Sequence, residues 1–81
     1  MLFQLVYASR ANPLQAEEVM DLLQGARQNN QKRGITGLLL YGQELFLQVL
    51  EGERGAVNEL FRAIVTDERH NDVTILEARI I

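Results

Sequence analysis

The sequence contains no cysteine and no tryptophan, and it has a single histidine and a single proline. Without cysteine the chain cannot form disulfides, thiolate metal sites, iron–sulfur clusters or a thiol nucleophile. One histidine also argues against a structural zinc site, so no metal is expected. Catalysis or binding must therefore rest on the remaining polar side chains or on a bound cofactor.

Long apolar runs and an excess of positive charge are missing as well. No run approaches the ~20 apolar residues that span a membrane. The start of the chain, residues 1–4, lacks the basic region and cleavage site of a signal peptide. The net charge is −3, which argues against a nucleic-acid module held by phosphate contacts. We therefore expect a cytoplasmic protein that binds neither membranes nor nucleic acids.

The chain has 81 residues, of which 47% are hydrophobic. This size and composition are typical of one small globular domain. A core of this size rarely supplies more than ~3–5 kcal/mol, and small domains commonly gain stability from a ligand or a partner. We therefore look for a bound cofactor or for association into a homo-oligomer.

The first part of the chain alternates between a strand pattern and a helix pattern. Residues 2–9 form an apolar run of strand length. Asn12 and Pro13 suit the N-cap and the first position of a helix, and Gln15 completes a capping box. Apolar side chains then recur at helical spacing, namely Leu14, Val19, Leu22, Leu23 and Ala26. The helix is predicted to end within residues 29–34, because Asn and Gly tolerate left-handed backbone.

Two strands and a second helix follow. Residues 35–41 and 45–51 are predicted as strands joined by a short hairpin turn. After a break, a second helical stripe contains Val57, Leu60, Phe61, Ile64 and Val65 and ends around Asp67. Asn71 and Asp72 are typical of a turn, and residues 73–81 are predicted as the last strand.

The predicted order is therefore βαββαβ, an α+β arrangement of the ferredoxin-like type. With right-handed crossovers, the first and third strands should lie side by side at the centre of the sheet and run parallel. We accordingly expect a mixed sheet with both helices on one face.

Gln48 is the polar side chain that fits this core least well. Phe46, Gln48 and Leu50 share one face of the third strand, because successive side chains alternate in direction. If this face lies under the helices, Gln48 is a buried amide next to Tyr7, and each unsatisfied position costs roughly 1–3 kcal/mol. Alternatively, Gln48 faces water and Leu47 packs inward. The alternation alone leaves both orientations open. Tyr7, taken by itself, is better explained as an ordinary core aromatic with its hydroxyl on a backbone carbonyl.

Asn29 and Asn30 at the end of the first helix have two interpretations as well. Such pairs commonly do no more than terminate a helix. The same position, however, is where that helix meets the sheet, close to Tyr7 and Gln48 on the predicted face. Two amides, a glutamine and a tyrosine hydroxyl could converge on one planar, polar ligand in a largely apolar pocket.

Five segments of the chain, taken together, resemble the BLUF family of blue-light sensors that use FAD. The segments are LVYASR (5–10), ARQNN (26–30), GITGLLLY (34–41), FLQVLEG (46–52) and DERH (67–70). They occur in the family's order and spacing over nearly the whole chain. The resemblance implies a non-covalently bound FAD and a photoreceptor function that signals to a partner protein, with no enzymatic activity.

The resemblance also implies roles for individual residues. Tyr7 is similar to the photoactive tyrosine, which gives an electron and then a proton to the excited flavin. Gln48 is similar to the switching glutamine between the Tyr7 hydroxyl and the N5/O4 edge of the flavin. Asn30 matches the amide that binds O4 and N3, and Asn29 matches a neighbouring contact position.

Arg69 and His70 are further cofactor-binding candidates, since the resemblance allows them to contact the phosphate end of FAD. Alternatively, their positive charge only favours the end of a helix dipole. The lack of cysteine excludes the covalent flavin adduct of LOV-type sensors, whereas tyrosine redox chemistry needs no thiol. The family continues into a further strand and output helices, so residues 1–81 are expected to form one flavin-binding domain without them.

Three other functions compete with this interpretation. An acylphosphatase-like hydrolase needs a phosphate-cradling loop, but no glycine-rich loop precedes Arg10, and Asn12 is better explained as a helix cap. A flavin-free interaction or small-ligand module of the same fold remains the alternative, because fold alone does not determine function. An RNA-binding version is disfavoured, because the strands lack exposed aromatics.

Overall fold

Four strands and two helices follow one another in the predicted order βαββαβ. The computed structural model describes residues 1–11 and 14–81, so the predicted cap residues Asn12 and Pro13 lie outside the described residues. The elements are β1 (Leu2–Arg10), α1 (Ala16–Lys32), β2 (Thr36–Gly42), β3 (Leu45–Glu53), α2 (Arg54–Val65) and β4 (Asn71–Ile80). Within the described ranges, neither helix is long and apolar enough to cross a membrane.

The strands form a single sheet in the order β2-β3-β1-β4, so the central position of β1 and β3 is confirmed. The predicted parallel direction is wrong, because β1 pairs antiparallel with β3 and with β4, and β2 pairs antiparallel with β3. The sheet is therefore antiparallel and not mixed. The physical reason lies in the crossovers: each helix connects two parallel strands that have a third strand inserted between them.

Helix α1 begins later than the sequence pattern predicts. Gln15 has an extended backbone with φ −73° and ψ 157° and serves as the N-cap. Its backbone N–H donates to Glu18 Oε1 at 3.1 Å, which satisfies a helix-terminal donor. At the other end, Gly34 has a φ of +69°, so the predicted glycine-assisted end of the helix is confirmed.

Strands β2 and β3 form a tight hairpin with two unusual features. The two turn residues, Gln43 and Glu44, have φ values of 51° and 64°, as a two-residue hairpin turn requires. In β2, a Cβ atom on Gly37 would lie 2.0 Å from the carbonyl oxygen of Val49. The close approach of the two strands therefore depends on glycine at position 37.

The turn before β4 also differs from the prediction. Asn71 is already the first residue of β4, and the turn consists of the preceding residues 67–70. Asp72 has a φ of 50°, and the β1–β4 register shifts between Ala8 and Arg10. Such irregular pairing redirects side chains locally and is common near functional sites.

Alternate side chains of the two central strands point to the helix-covered face. They form a larger buried cluster with α2, which contains Leu5, Tyr7, Ile35, Leu50, Val57 and Leu60. A smaller cluster under α1 consists of Ala11, Leu22 and Phe46. Residues of both helices line one cavity together with Gln48, so both helices cover the same face, as predicted.

Candidate functional site

Tyr7 and Gln48 are direct partners at the centre of the sheet. They lie opposite each other in the β1–β3 register. Tyr7 is 0% exposed and Gln48 is 3% exposed, and the Tyr7 hydroxyl donates a hydrogen bond to Gln48 Oε1. Leu47 on the other face is 39% exposed, so the inward orientation of Gln48 is the correct one of the two alternatives. Because its carbonyl oxygen is engaged, the Gln48 amide N–H groups are donors for a further ligand.

The two asparagines at the end of α1 have different environments. The backbone carbonyl of Asn30 accepts hydrogen bonds from Arg33 at 3.1 Å and Ile35 at 2.8 Å, and so helps to end the helix. Its side-chain Oδ1 is buried and has no hydrogen-bond partner among the described residues. Asn29 is exposed, although it lines the same cavity. The Asn30 side chain is therefore the one with an unmet hydrogen-bonding requirement.

A cavity of about 130 Å³ lies between the helices and the sheet. An adjoining cavity of about 190 Å³ shares Ala26, Asn30, Leu39 and Gln48 with it. Together they reach the lower end of the roughly 300–1,000 Å³ that is typical of small-molecule sites. Apolar side chains from α1, β2 and α2 form part of the walls, and Asn30 and Gln48 supply directed polar groups.

The loop before β4 closes one side of the first cavity with charged and aromatic groups. The Arg69 guanidinium donates to the Asp67 carboxylate, with Nε–Oδ1 at 3.0 Å and Nη2–Oδ2 at 2.5 Å. These hydrogen bonds hold the pKa of the Asp67 carboxyl at about 2. The backbone N–H of Arg69 also donates to Asp67 Oδ1 at 2.9 Å. Asp67 thus fixes both the backbone of the loop and the side chain of Arg69.

His70 lies beside the buried aromatic rings of the site, whereas the resemblance implies a contact with the phosphate end of the cofactor. Its ring centroid is 4.7 Å from that of Phe46 and 6.2 Å from that of Tyr7. Its Nδ1 is hydrogen-bonded to Ser9 Oγ at 2.8 Å. Burial lowers the pKa of the imidazole below its usual 6.5.

The cavity therefore brings all the predicted site residues to one region: Gln48, Asn29, Asn30, Arg69 and His70 line it, and Tyr7 is bonded to Gln48. The sequence analysis missed Ser9 and Asp67. Ser9 is 2% exposed and follows Tyr7 by two residues on the same face of β1. That spacing was an available signal, whereas the role of Asp67 depends on a loop conformation that spacing does not determine.

The electrostatics keep Tyr7 protonated. Burial is the larger cause and the negative charge of Asp67 the smaller one, and both raise the pKa of the Tyr7 phenol above its usual 10. A protonated phenol can donate to the Gln48 carbonyl, which is the arrangement observed. The same phenol retains the proton that a tyrosine redox reaction must move.

These features fit a ligand with both donors and acceptors on one edge and apolar surface elsewhere. Asn30 presents a buried acceptor that lacks a partner among residues 1–11 and 14–81, and Gln48 presents amide donors. Both types of group suit the polar edge of a flavin ring. The walls of the cavity supply the apolar surface that the rest of such a ring requires.

Known proteins with similar sequences are light sensors. The chain is 41% identical over 73 residues to the photoactivated adenylate cyclase subunit alpha of Euglena gracilis, which is 89% of this chain and 7% of that protein. It is 31% identical over 77 residues to the blue light- and temperature-regulated antirepressor BluF of Escherichia coli strain K12, which is 94% of this chain and 19% of that one. The chain thus spans only a small part of these relatives.

Solved structures share the fold closely. A bacterial light-regulated adenylyl cyclase superposes with a TM-score of 0.92 at 40% identity, over 98% of this chain and 23% of that one. The BLUF protein BlrB in its dark state gives a TM-score of 0.91 at 36% identity, over 99% of this chain and 61% of that one. The family model "BLUF: Sensors of blue-light using FAD" matches residues 2–81. The chain belongs to the BLUF family of flavin-binding blue-light sensors.

Proposed function

We propose that this chain senses blue light through FAD bound in the cavity between the two helices and the sheet, with Tyr7 and Gln48 as its switch. The observation that carries the proposal is the hydrogen bond from the Tyr7 hydroxyl to Gln48 Oε1 in a buried position. The family description, which names FAD, supports the choice of cofactor. A bound flavin supplies absorption of blue light and, once excited, an oxidant.

Tyr7 is the electron and proton donor of this mechanism. It is fully buried, and its phenol remains protonated because burial and Asp67 raise its pKa. A bound, excited flavin would supply the oxidant. Loss of an electron would make the Tyr7 hydroxyl strongly acidic, so its proton would pass along the hydrogen bond to Gln48 Oε1. Return of the electron and the proton would restore Tyr7, with no net redox change.

Gln48 retains the signal after Tyr7 has recovered. An amide carries an acceptor oxygen and two donor hydrogens, so it can exchange these roles toward its two neighbours. In the observed arrangement the oxygen faces Tyr7. A rearranged Gln48 would donate a stronger hydrogen bond to the flavin, which lowers the excited state and shifts the absorption to the red. An aliphatic side chain has neither a donor nor an acceptor and could not rearrange its hydrogen bonds in this way.

The remaining candidate residues bind and orient the cofactor. Asn30 offers its buried carbonyl oxygen to the polar edge of the ring, and Asn29 adds a contact from the exposed side of α1. Arg69, held by Asp67, contributes a cation beside the cavity, and His70 closes the cavity next to Tyr7. The anionic phosphates of FAD suit Arg69 better than His70, because His70 is already engaged by Ser9.

Signal output requires a protein partner or a further segment. The relatives are much longer than this chain, and their names describe a cyclase and an antirepressor. We therefore place the output function in a region or partner outside residues 1–81.

The test is an absorption spectrum of the purified, flavin-loaded protein before and after blue light. Wild type should show a small, reversible red shift without bleaching, and mass spectrometry of the released flavin should identify FAD. Gln48→Leu and Tyr7→Phe should each abolish the shift while retaining most of the bound flavin, since each removes one contact without emptying the cavity.

Tyr41→Phe is the matched control, because Tyr41 is the second of the two tyrosines in the sequence. Its ring centroid lies 4.9 Å from that of Phe46. Its spectral shift should equal that of wild type. A normal red shift in Gln48→Leu would overturn the switch, and release of FMN in place of FAD would overturn the choice of cofactor.

A further inference from the structure

Ser9 is a buried polar residue outside the Tyr7–Gln48 switch. Its hydroxyl is 2.8 Å from His70 Nδ1, and the residue is 2% exposed. A buried hydroxyl without a partner would destabilise the fold, so this bond explains why serine is tolerated here. The bond joins β1 to the loop before β4 across 61 residues of sequence.

The imidazole that Ser9 holds is fixed on two further sides. The ring centroid of Phe46 lies 4.7 Å away at an interplanar angle of 43°. The ring of Tyr7 lies 6.2 Å away in an edge-to-face arrangement at 67°. The backbone N–H of His70 donates to the Asp67 carbonyl oxygen at 3.0 Å. His70 therefore has one defined position beside the photoactive tyrosine.

The ionisable groups around His70 are few. Asp67 and Arg69 belong to its own loop and are paired with each other, and Tyr7 on β1 is a protonated phenol. From β3 the neighbours are Phe46 and Gln48, neither of which ionises. The residues that α1 and α2 contribute to the same cavity are also not ionisable: Leu22, Gly25, Ala26, Asn29, Asn30, Leu60, Ala63 and Ile64.

We propose that Ser9 is a positioning residue that holds the His70 imidazole in its half-buried place as an uncharged neighbour of Tyr7. The inference rests on the proposed role of Tyr7 as electron donor. A cation beside Tyr7 would oppose the loss of an electron from its ring, since the oxidised tyrosine is itself transiently positive. Released from Ser9, the imidazole would turn toward water, where its protonated form is favoured.

The first measurement is an NMR titration of the His70 imidazole in darkness, with and without flavin. His70 is the single histidine of the sequence, so its resonances need no assignment. In wild type the pKa should lie below 6.5, because burial disfavours the charged form. In Ser9→Ala it should shift upward toward 6.5, and in Ser9→Thr, which retains the hydroxyl, it should return to the wild-type value.

Thr74→Ala is the matched control for these variants. Thr74 pairs with Ala8 on the adjacent strand, is exposed, and donates its hydroxyl to the Asp72 carbonyl and not to His70. Its removal should leave the His70 titration unchanged. An unchanged titration in Ser9→Ala would overturn the positioning role of Ser9, since the hydroxyl would then have no influence on the imidazole.

The second measurement is the yield of the red-shifted state as a function of pH. In wild type the yield should fall as the pH drops through the pKa of the His70 imidazole. In Ser9→Ala the same loss of yield should occur at a higher pH. In His70→Gln the loss of yield at that pH should disappear, even if the absolute yield differs from that of wild type. A wild-type yield that ignores the protonation of His70 would overturn the electrostatic part of the inference. Absence of any light-induced shift at every pH would instead overturn the proposed function, and the dark titration separates these two failures.

Discussion

Asn30 combines two roles within one residue. Its backbone carbonyl closes the end of α1, while its side-chain oxygen is buried without a partner in the described part of the chain. An unsatisfied buried acceptor destabilises the flavin-free protein by roughly 1–3 kcal/mol. Such a cost is typical of a residue whose partner arrives with a ligand, because binding then recovers the hydrogen bond.

Replacing Asn30 should therefore change stability and affinity in opposite directions. Asn30→Ala removes the orphaned oxygen and adds a better helix former, so the flavin-free protein should be as stable as wild type or more stable. Flavin affinity should fall by about tenfold to a hundredfold, the equivalent of roughly 1–3 kcal/mol. Denaturant unfolding and flavin titration measure the two quantities. Asn29→Ala, at the exposed neighbour, should change affinity less. Equal losses of affinity in both variants would contradict the distinction.

The orientation of Gln48 shows where sequence reasoning reaches its limit at this scale. Both faces of β3 are largely apolar, with Phe46 and Leu50 on one and Leu47 and Val49 on the other. Alternation alone could not choose between them. The decision comes from the neighbouring strand, because the register places Gln48 opposite Tyr7 and gives its amide a buried partner. Cross-strand register of this kind is a tertiary property.

At the scale of elements, the β2–β3 hairpin forms the floor of the second cavity. Gly37, Leu38 and Leu39 of β2 line it together with residues of α1. The two residues that close the hairpin are not glycines, and both have a positive φ. This backbone conformation is energetically unfavourable for each of them. Its strands approach so closely at Gly37 that no side chain fits there. The geometry of this cavity thus depends on a single glycine.

Gly37→Ala should destabilise the protein by about 1–3 kcal/mol or more, because the added methyl group meets a backbone oxygen that cannot move aside cheaply. Flavin affinity should fall as well, since the strand that lines the second cavity must shift. Gly42→Ala in the same strand is the control, because a Cβ there meets nothing within 4 Å. Its free energy of unfolding should remain within about 0.5 kcal/mol of that of wild type. Equal stability of the two variants would show that β2 can shift without cost.

The element order was predictable from the sequence, and the strand directions were predictable from that order. Apolar runs of strand length between turn signals indicated the strands, and apolar side chains at helical spacing indicated the two helices. The parallel pairing of β1 and β3 was an error of topology, because a crossover helix makes β1 parallel to β2 and leaves β3 between them in the opposite direction. The start of α1 was displaced because Gln15 acts as the cap, a role that its residue type does not suggest.

On the scale of the whole molecule, the candidate site divides the core. The cluster under α2 is the larger one, and α2 buries Val57 and Leu60. Helix α1 buries only Leu22, although it is the longer helix. The cavity lies between the two helices, so a ligand there would connect the weakly packed α1 to the rest of the core. Segments with few buried apolar contacts open most readily in native proteins.

Flavin binding should therefore stabilise the whole protein and protect α1 most. At a free flavin concentration one hundred times the dissociation constant, linkage adds about 2.7 kcal/mol. For a domain of this size, that gain corresponds to a rise in Tm of about 10–20 °C. Hydrogen exchange should slow more for the amides of α1 than for those of α2, because α1 depends more on the ligand for its packing. Asn30→Ala, measured at the same flavin concentration, should reduce both effects. A melting temperature that ignores added FAD would contradict the binding site, whereas equal protection of both helices would contradict the weak packing of α1.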